Sequence, residues 1–331
     1  MHRIISTAQG RPLGFQDDTL DLSLPLPFVP EPDVSEQRKS DQVWLPYSVL
    51  RFQWATILSR IKYQLYRFQE PVVRPALTAV LNQLSNDIET WLENGTQIIE
   101  GFPAGYQTRL RTKLKIDYHF IRCLLYQPSQ ACMTPDDAAL LLCFESATER
   151  IRLYDSLYDQ NNLYVSWPTT HGIFLAGATL VYCIWMSSEV RRKVTILALT
   201  KDFRLCSNLL TLGGEWWPLA QRGRRSFDRL ADSTLESLTN HQTAQSQRLP
   251  DESEMARATA SALENDPFAG LDFQSPSTNV EGILQTFLQN ELPFPDMLDT
   301  FDATGFGQEG YPWDSNHLFN FDANYQYPMP Q

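Results

Sequence analysis

GIFLAGATLVYCIWM, residues Gly172–Met186, carries no charged side chain and decides how the rest of the chain must be read. Fifteen residues fall short of the ~20 needed to cross a bilayer, so a helix buried in a protein core is expected and no membrane contact. A helix that is apolar on every side needs other elements packed around it. The flanking sequence supplies them as amphipathic stripes of helical period.

On the N-terminal side, Leu50, Trp54, Ile57, Ile61, Leu65 and Phe68 form one stripe that ends near Pro71. Leu77, Val80, Leu84, Ile88, Trp91 and Leu92 form a second, with Asn94-Gly95 as its expected stop. A third runs through Leu110, Leu114, Tyr118, Ile121 and Leu125 and ends before Pro128. Thr134-Pro135-Asp136-Asp137 reads as an N-cap, a proline in the first turn and two early acids. The helix it starts carries Leu140, Cys143, Ala147, Ile151, Tyr154 and Tyr158. Beyond the apolar stretch, one helix is expected over Val190–Leu212 and a last one over Leu219–Leu238. No stretch alternates with period two long enough to argue a sheet, so the fold class is all-α.

The ends read differently. Residues 1–43 include Pro25, Pro27, Pro30 and Pro32, whose fixed φ and missing donors predict an extended arm. The helical region is placed at 44–240. Residues 241–331 lose all periodicity, and this tail holds 14 acidic residues against two basic ones, Arg248 and Arg257. The whole net charge of −12 therefore sits in the tail, and the rest of the chain is neutral. Such a charge balance excludes a uniformly basic nucleic-acid binder. High charge with few aliphatic residues predicts disorder in the tail.

Motifs for chemistry are sparse. The sequence lacks a G-x-S-x-G elbow, a Walker loop, a G-x-G-x-x-G turn and an H-E-x-x-H pair. Asn86-Asp87-Ile88-Glu89-Thr90 begins like a magnesium-binding motif of all-α cyclases, but Asn94 stands where the third ligand belongs. An all-α magnesium enzyme, tested by Asp87→Ala or Asp136→Ala, is the least favoured reading. The five cysteines form no C-x-x-C pair and read as small buried hydrophobes in a reducing compartment. His119 and His171 fall in helical segments and read as core or interface residues. Three basic clusters, Arg109-x-Arg111-x-Lys113-x-Lys115, Arg191-Arg192-Lys193 and Arg222-x-Arg224-Arg225-x-x-x-Arg229, read as solvated helix faces. One of them is a weak candidate nuclear-import signal.

Four segments together resemble the regulatory middle region of fungal binuclear zinc-cluster transcription factors. They are GRPLGFQDDTLDLSLP (Gly10–Pro25), HFIRCLLYQPS (His119–Ser129), WPTTHGIFLAGATLVYCIW (Trp167–Trp185) and CSNLLTLGGEWWPLAQRGRRSFDRLADSTLESL (Cys206–Leu238). The resemblance implies an irregular all-helical regulatory domain, a nuclear protein and no enzymatic activity. In that family a cluster of six cysteines around two zinc ions precedes the regulatory region. No cysteine here has the cluster's spacing, so zinc is expected only in full-length relatives and no cofactor in this chain. The expectation is either a truncated zinc-cluster protein or a regulator that reaches DNA indirectly.

The tail carries its own argument. Ile283, Leu284, Phe287 and Leu288 share one helical face, and Met297, Leu298 and Phe301 sit among Asp296, Asp299 and Asp302. Like charges keep these apolar groups in water until a partner groove buries them and the segment folds on it. The expected partner is a coactivator or the transcription machinery, with the tail as activation segment. A helical module that senses a small-molecule effector is the alternative.

Overall fold

The computed structural model describes residues 36–66, 74–215 and 218–245. Among these residues it contains eight α-helices and no strand, so the chain is all-α as its periodicity predicts. The helices are α1 (Glu36–Leu65), α2 (Arg74–Glu100), α3 (Ala104–Tyr126) and α4 (Asp137–Asp159), followed by α5 (Trp167–Met186), α6 (Ser188–Lys193), α7 (Ile196–Gly214) and α8 (Pro218–Gln245). The expected arm up to residue 35 and the tail from residue 246 lie outside the described residues. α1 starts at Glu36, ahead of the expected Trp44 boundary, and α8 runs past Asn240 to Gln245.

The N-terminal stripes close on one another. Leu50, Trp54, Ile61 and Leu65 of α1 meet Leu84, Ile88, Trp91 and Ile99 of α2 and Leu110, Leu114, Ile121 and Leu125 of α3 in one apolar core. Burying each such side chain contributes roughly 1.5–3 kcal/mol, several times the worth of a half-exposed ion pair such as Arg60–Asp87. The stripes therefore set the arrangement and the surface pairs trim it.

α2 does not stop at Asn94-Gly95 but continues to Glu100. The glycine has a packing role instead. A Cβ on Gly95 would lie 2.8 and 2.9 Å from the two Leu114 methyls and 3.0 Å from Leu50 Cδ2, so its absence lets α2 close on α1 and α3.

The C-terminal helices surround α5. Every residue from Thr170 to Ile184 is buried, and Tyr182 is enclosed completely. α5 spans 20 residues, long enough by length alone to cross a membrane, so the length argument made from Gly172–Met186 fails. Burial decides the matter: 83% of its apolar window is covered by α4, α7 and α8. Close approach again uses glycine, since a Cβ on Gly177 would lie 2.6 Å from both Cys206 Sγ of α7 and Phe227 Cε2 of α8.

Local chemistry sets the helix ends. The N-cap of α4 is Asp136, whose carboxylate accepts from Ala139 N at 2.8 Å; the cap expected at Thr134 lies two residues early. Past the end of α4, Asn161 takes φ 52° and Asn162 N donates to Leu157 O at 2.8 Å, an asparagine-closed Schellman turn. The helix expected over Val190–Leu212 is two helices, α6 and α7, because Val194 is extended and Thr195 caps a new start by accepting from Ala198 N at 3.3 Å. Ser187 ends α5 and caps α6, accepting from Val190 N at 3.2 Å while its hydroxyl donates to Asp137 of α4.

Candidate functional site

The tail residues Ile283, Leu284, Phe287, Leu288, Met297, Leu298 and Phe301 lie outside the described residues. The other sequence candidates can be placed. Asp87 pairs with Arg60 at 2.5 Å, and Glu89 accepts from the Tyr118 hydroxyl at 2.6 Å. These acids tie α1 and α3 to α2. Among the described residues no group of three His, Cys, Asp or Glu side chains is arranged to hold a metal ion.

The basic clusters divide by role. Arg191 is a structural cap: its Nη1 donates to Ile184 O at 2.8 Å and Trp185 O at 2.7 Å, closing the C-terminus of α5. Arg192 and Lys193 pair with Glu189 and stay exposed. Arg224 pairs with Asp228 one turn on at 3.2 Å. On α3, Lys115 is exposed, whereas Arg109, Arg111 and Lys113 are half-buried, with Lys113 one turn and Arg109 two turns before Asp117. The reading of that cluster as a solvated face holds at Lys115, while Arg109 and Lys113 share an inner face with Asp117.

That inner face belongs to a polar junction between the two apolar cores. Asp117 is ion-paired with Arg51 of α1, whose guanidinium also lies 5.1 Å from the Trp54 ring. Burial pushes the Asp117 carboxyl above its ordinary range, and Arg51, Lys113 and Arg150 pull against that shift. Burial lowers the Lys113 ammonium, helped by Arg109.

Arg150 of α4 is the deepest member, 3% exposed. Its guanidinium lies 5.0 Å from the Phe120 ring of α3, and its Nη2 packs beside the Tyr154 hydroxyl against Gly172 of α5. Burial holds the Tyr154 phenol protonated; the Cys123 thiol is held so by its hydrogen bond with Cys143 and by burial. His171 of α5 stacks on Trp167 with ring centres 5.1 Å apart, and burial, then Arg150, brings its pKa down to about 3. His119 of α3 is lowered to about 4 by burial, then by Arg122, Arg150 and Lys115. Both imidazoles are therefore neutral near neutral pH.

The junction also gathers thiols. Cys123 Sγ donates to Cys143 O and Cys143 Sγ to Cys123 O, each at 3.8 Å, and Cys183 joins them from α5. All three are buried, and the Cys123 and Cys143 thiols are pushed well up. Protonated, buried thiols are inert toward nucleophilic chemistry. The two histidines of the junction are neutral, and its acid, Asp117, is held by Arg51. Of the junction's cations only Arg150 is buried; Arg51, Arg109 and Lys113 are half-buried around Asp117.

Sequence reasoning missed Arg150. The signal was there: on α4 it lies between Cys143, Ala147 and Tyr154 on the stripe that faces the core, a charge where helical period demands an apolar residue.

No protein-family model and no solved structure matches the chain. Two fungal proteins are similar to parts of it. An uncharacterized transcriptional regulatory protein of Saccharomyces cerevisiae is 25% identical over 177 residues, 48% of this chain and 13% of that protein. A positive regulator of purine utilization of Emericella nidulans is 27% identical over 92 residues, 28% of this chain and 9% of the regulator. The chain thus spans only a small part of each relative's length. Both relatives are named as fungal regulators, and it is to such regulators that this all-helical chain is similar.

Proposed function

We propose that the chain is a fungal transcription regulator whose helical region governs the access of an acidic, aromatic tail to coactivators. The observation that carries this reading is similarity to two named fungal regulators. The tail's composition supports it: all of the net charge lies there, interleaved with apolar clusters at Ile283–Leu288 and Met297–Phe301. Action on DNA is indirect in this reading, through a partner or another segment, and the site of action is the nucleus. No catalytic step is assigned.

Fusion of residues 241–331 to an unrelated DNA-binding domain, with a reporter readout, tests the proposal. The tail alone should activate transcription, and adding residues 44–240 should change the output. Leu284→Asp combined with Phe287→Asp should abolish activation, since a partner groove that buries these side chains would have to desolvate two carboxylates. A silent tail in both fusions would refute the reading.

A further inference from the structure

We propose that Thr195 is a phosphorylation site, recognised by a serine/threonine kinase whose substrate groove is acidic. In the whole sequence it is the one serine or threonine with a basic residue at both the third and the second position before it, Arg192 and Lys193. A groove lined by carboxylates reads such a pair by charge and rejects acidic neighbours. Other hydroxyls also follow basic residues: Ser226 comes after Arg222, Arg224 and Arg225, and Thr112 after Arg109 and Arg111. Exposure separates them. Ser226 and Thr112 are buried, and Thr112 donates to Thr108 O within α3. Thr195 is exposed, and no residue from Arg192 to Ala198 is buried.

The backbone suits a groove as well. Val194 and Thr195 are extended between α6 and α7, with ψ of 134° and 140°. The Arg192 and Lys193 side chains are 72% and 54% exposed and share one acid, Glu189, in surface pairs that yield easily. α6 has only six residues, so freeing these two from its last turn unwinds little, while Arg191 keeps the helix tied to the end of α5. In the transfer step Thr195 Oγ attacks the γ-phosphorus of magnesium-bound ATP in the kinase. The bond to the β-phosphate oxygen breaks, ADP leaves, and the hydroxyl proton passes to a kinase carboxylate. Thr195 Oγ caps α7 by accepting from Ala198 N, and no acid lies in the first turn of that helix. A phosphate on this oxygen therefore meets the positive end of α7 with Arg192 and Lys193 in the same joint, and it stiffens that joint.

The site stands apart from the regulator reading, and its test uses no reporter. The folded full chain is incubated with magnesium, ATP and the catalytic subunit of cyclic-AMP-dependent protein kinase, which selects two basic residues at these positions, and phosphate is located by peptide mass spectrometry. A single phosphate should enter at Thr195, persist in Thr195→Ser and vanish in Thr195→Asn, whose side chain still caps α7. Arg192→Ala combined with Lys193→Ala should slow incorporation at least about tenfold, since one charged hydrogen bond lost to the kinase already costs that much. The phosphorylated chain should melt above the unmodified one, with the gap closing as salt rises. Phosphate at Ser226 or Thr112 in place of Thr195, or an unchanged rate in the double variant, would overturn the proposal. So would incorporation into a synthetic peptide of residues 188–199 but not into the folded chain. A phosphorylated chain that melts at or below the unmodified one would overturn the stiffened joint.

Discussion

Gly177→Ala isolates how closely the C-terminal helices approach α5. In an exposed helix the exchange stabilises by up to ~1 kcal/mol, because alanine loses less backbone entropy than glycine. At Gly177 the added Cβ would stand 2.6 Å from Cys206 Sγ and from Phe227 Cε2, and 3.0 Å from Phe227 Cδ2. Neither neighbour can easily yield. Phe227 is 1% exposed and packs edge-on against Phe203 at 5.7 Å, while Cys206 is fully buried with its thiol 3.6 Å from Ile173 O. Overpacking costs ~1–3 kcal/mol, and two contacts at 2.6 Å put this site in the upper part of that range, at ~2–3 kcal/mol, so after a propensity gain of ~1 kcal/mol the net loss should be about 1–2 kcal/mol.

Urea unfolding of the full chain, followed by tryptophan fluorescence, reads this as a lower midpoint at unchanged slope. Gly105→Ala is the control: its Cβ would meet nothing within 4 Å near the start of α3, so that variant should gain stability or hold it. Phe227→Leu should open room at the ring, and Gly177→Ala should cost less in that background. If Gly177→Ala is as stable as wild type, the three-helix contact is looser than described and the argument from glycine is refuted.

Two further outcomes follow from the polar junction and the α5 cap. His171 at about 3 and His119 at about 4 bind fewer protons when folded than the unfolded chain, whose histidines titrate near 6.5. Stability should therefore fall as pH drops below about 6.5, by up to ~1.4 kcal/mol per histidine per pH unit, with Asp117 opposing because its carboxyl is raised. His171→Phe keeps the stack on Trp167 and the neighbourhood of Arg150, and should remove about half of that slope in urea titrations at successive pH values. Arg191→Ala should cost about 1–3 kcal/mol in the same assay through its two bonds to the end of α5, whereas Arg192→Ala should cost under ~1 kcal/mol.

Helical period alone places most of the core, because a stripe such as Leu50–Trp54–Ile57–Ile61–Leu65 has one way to leave water. The misreadings share a cause, a local signal with two physical meanings. Gly95 looks like a stop, yet its missing side chain serves Leu114, a residue on another helix that the local sequence cannot bring near. Thr134 looks like a cap as much as Asp136 does, and the choice depends on which oxygen reaches Ala139 N. The break between α6 and α7 was legible in Val194-Thr195, a β-branched pair ending in a good cap. The inward turn of Lys113 toward Asp117 was half legible, being a one-turn spacing of opposite charges on α3.

The position of Arg150 matters because of what it joins. The ion pairs Arg60–Asp87 and Arg51–Asp117 link helices of the N-terminal core, and Arg152, bidentate to Asp202 at 3.0 and 3.1 Å, links α4 to α7 in the C-terminal one. At the seam between them, α3 and α4 make the most extensive helix–helix contact of the described residues, with two thiol–carbonyl bonds at 3.8 Å and Arg150 over Phe120 inside it. Thiol donors contribute little, and a cation over a phenyl ring about 0.5–2 kcal/mol, so close packing of the two helices and not these polar contacts joins the N-terminal to the C-terminal helices. α5, packed on both α4 and α8, carries that packing on to the helix that leads toward the tail.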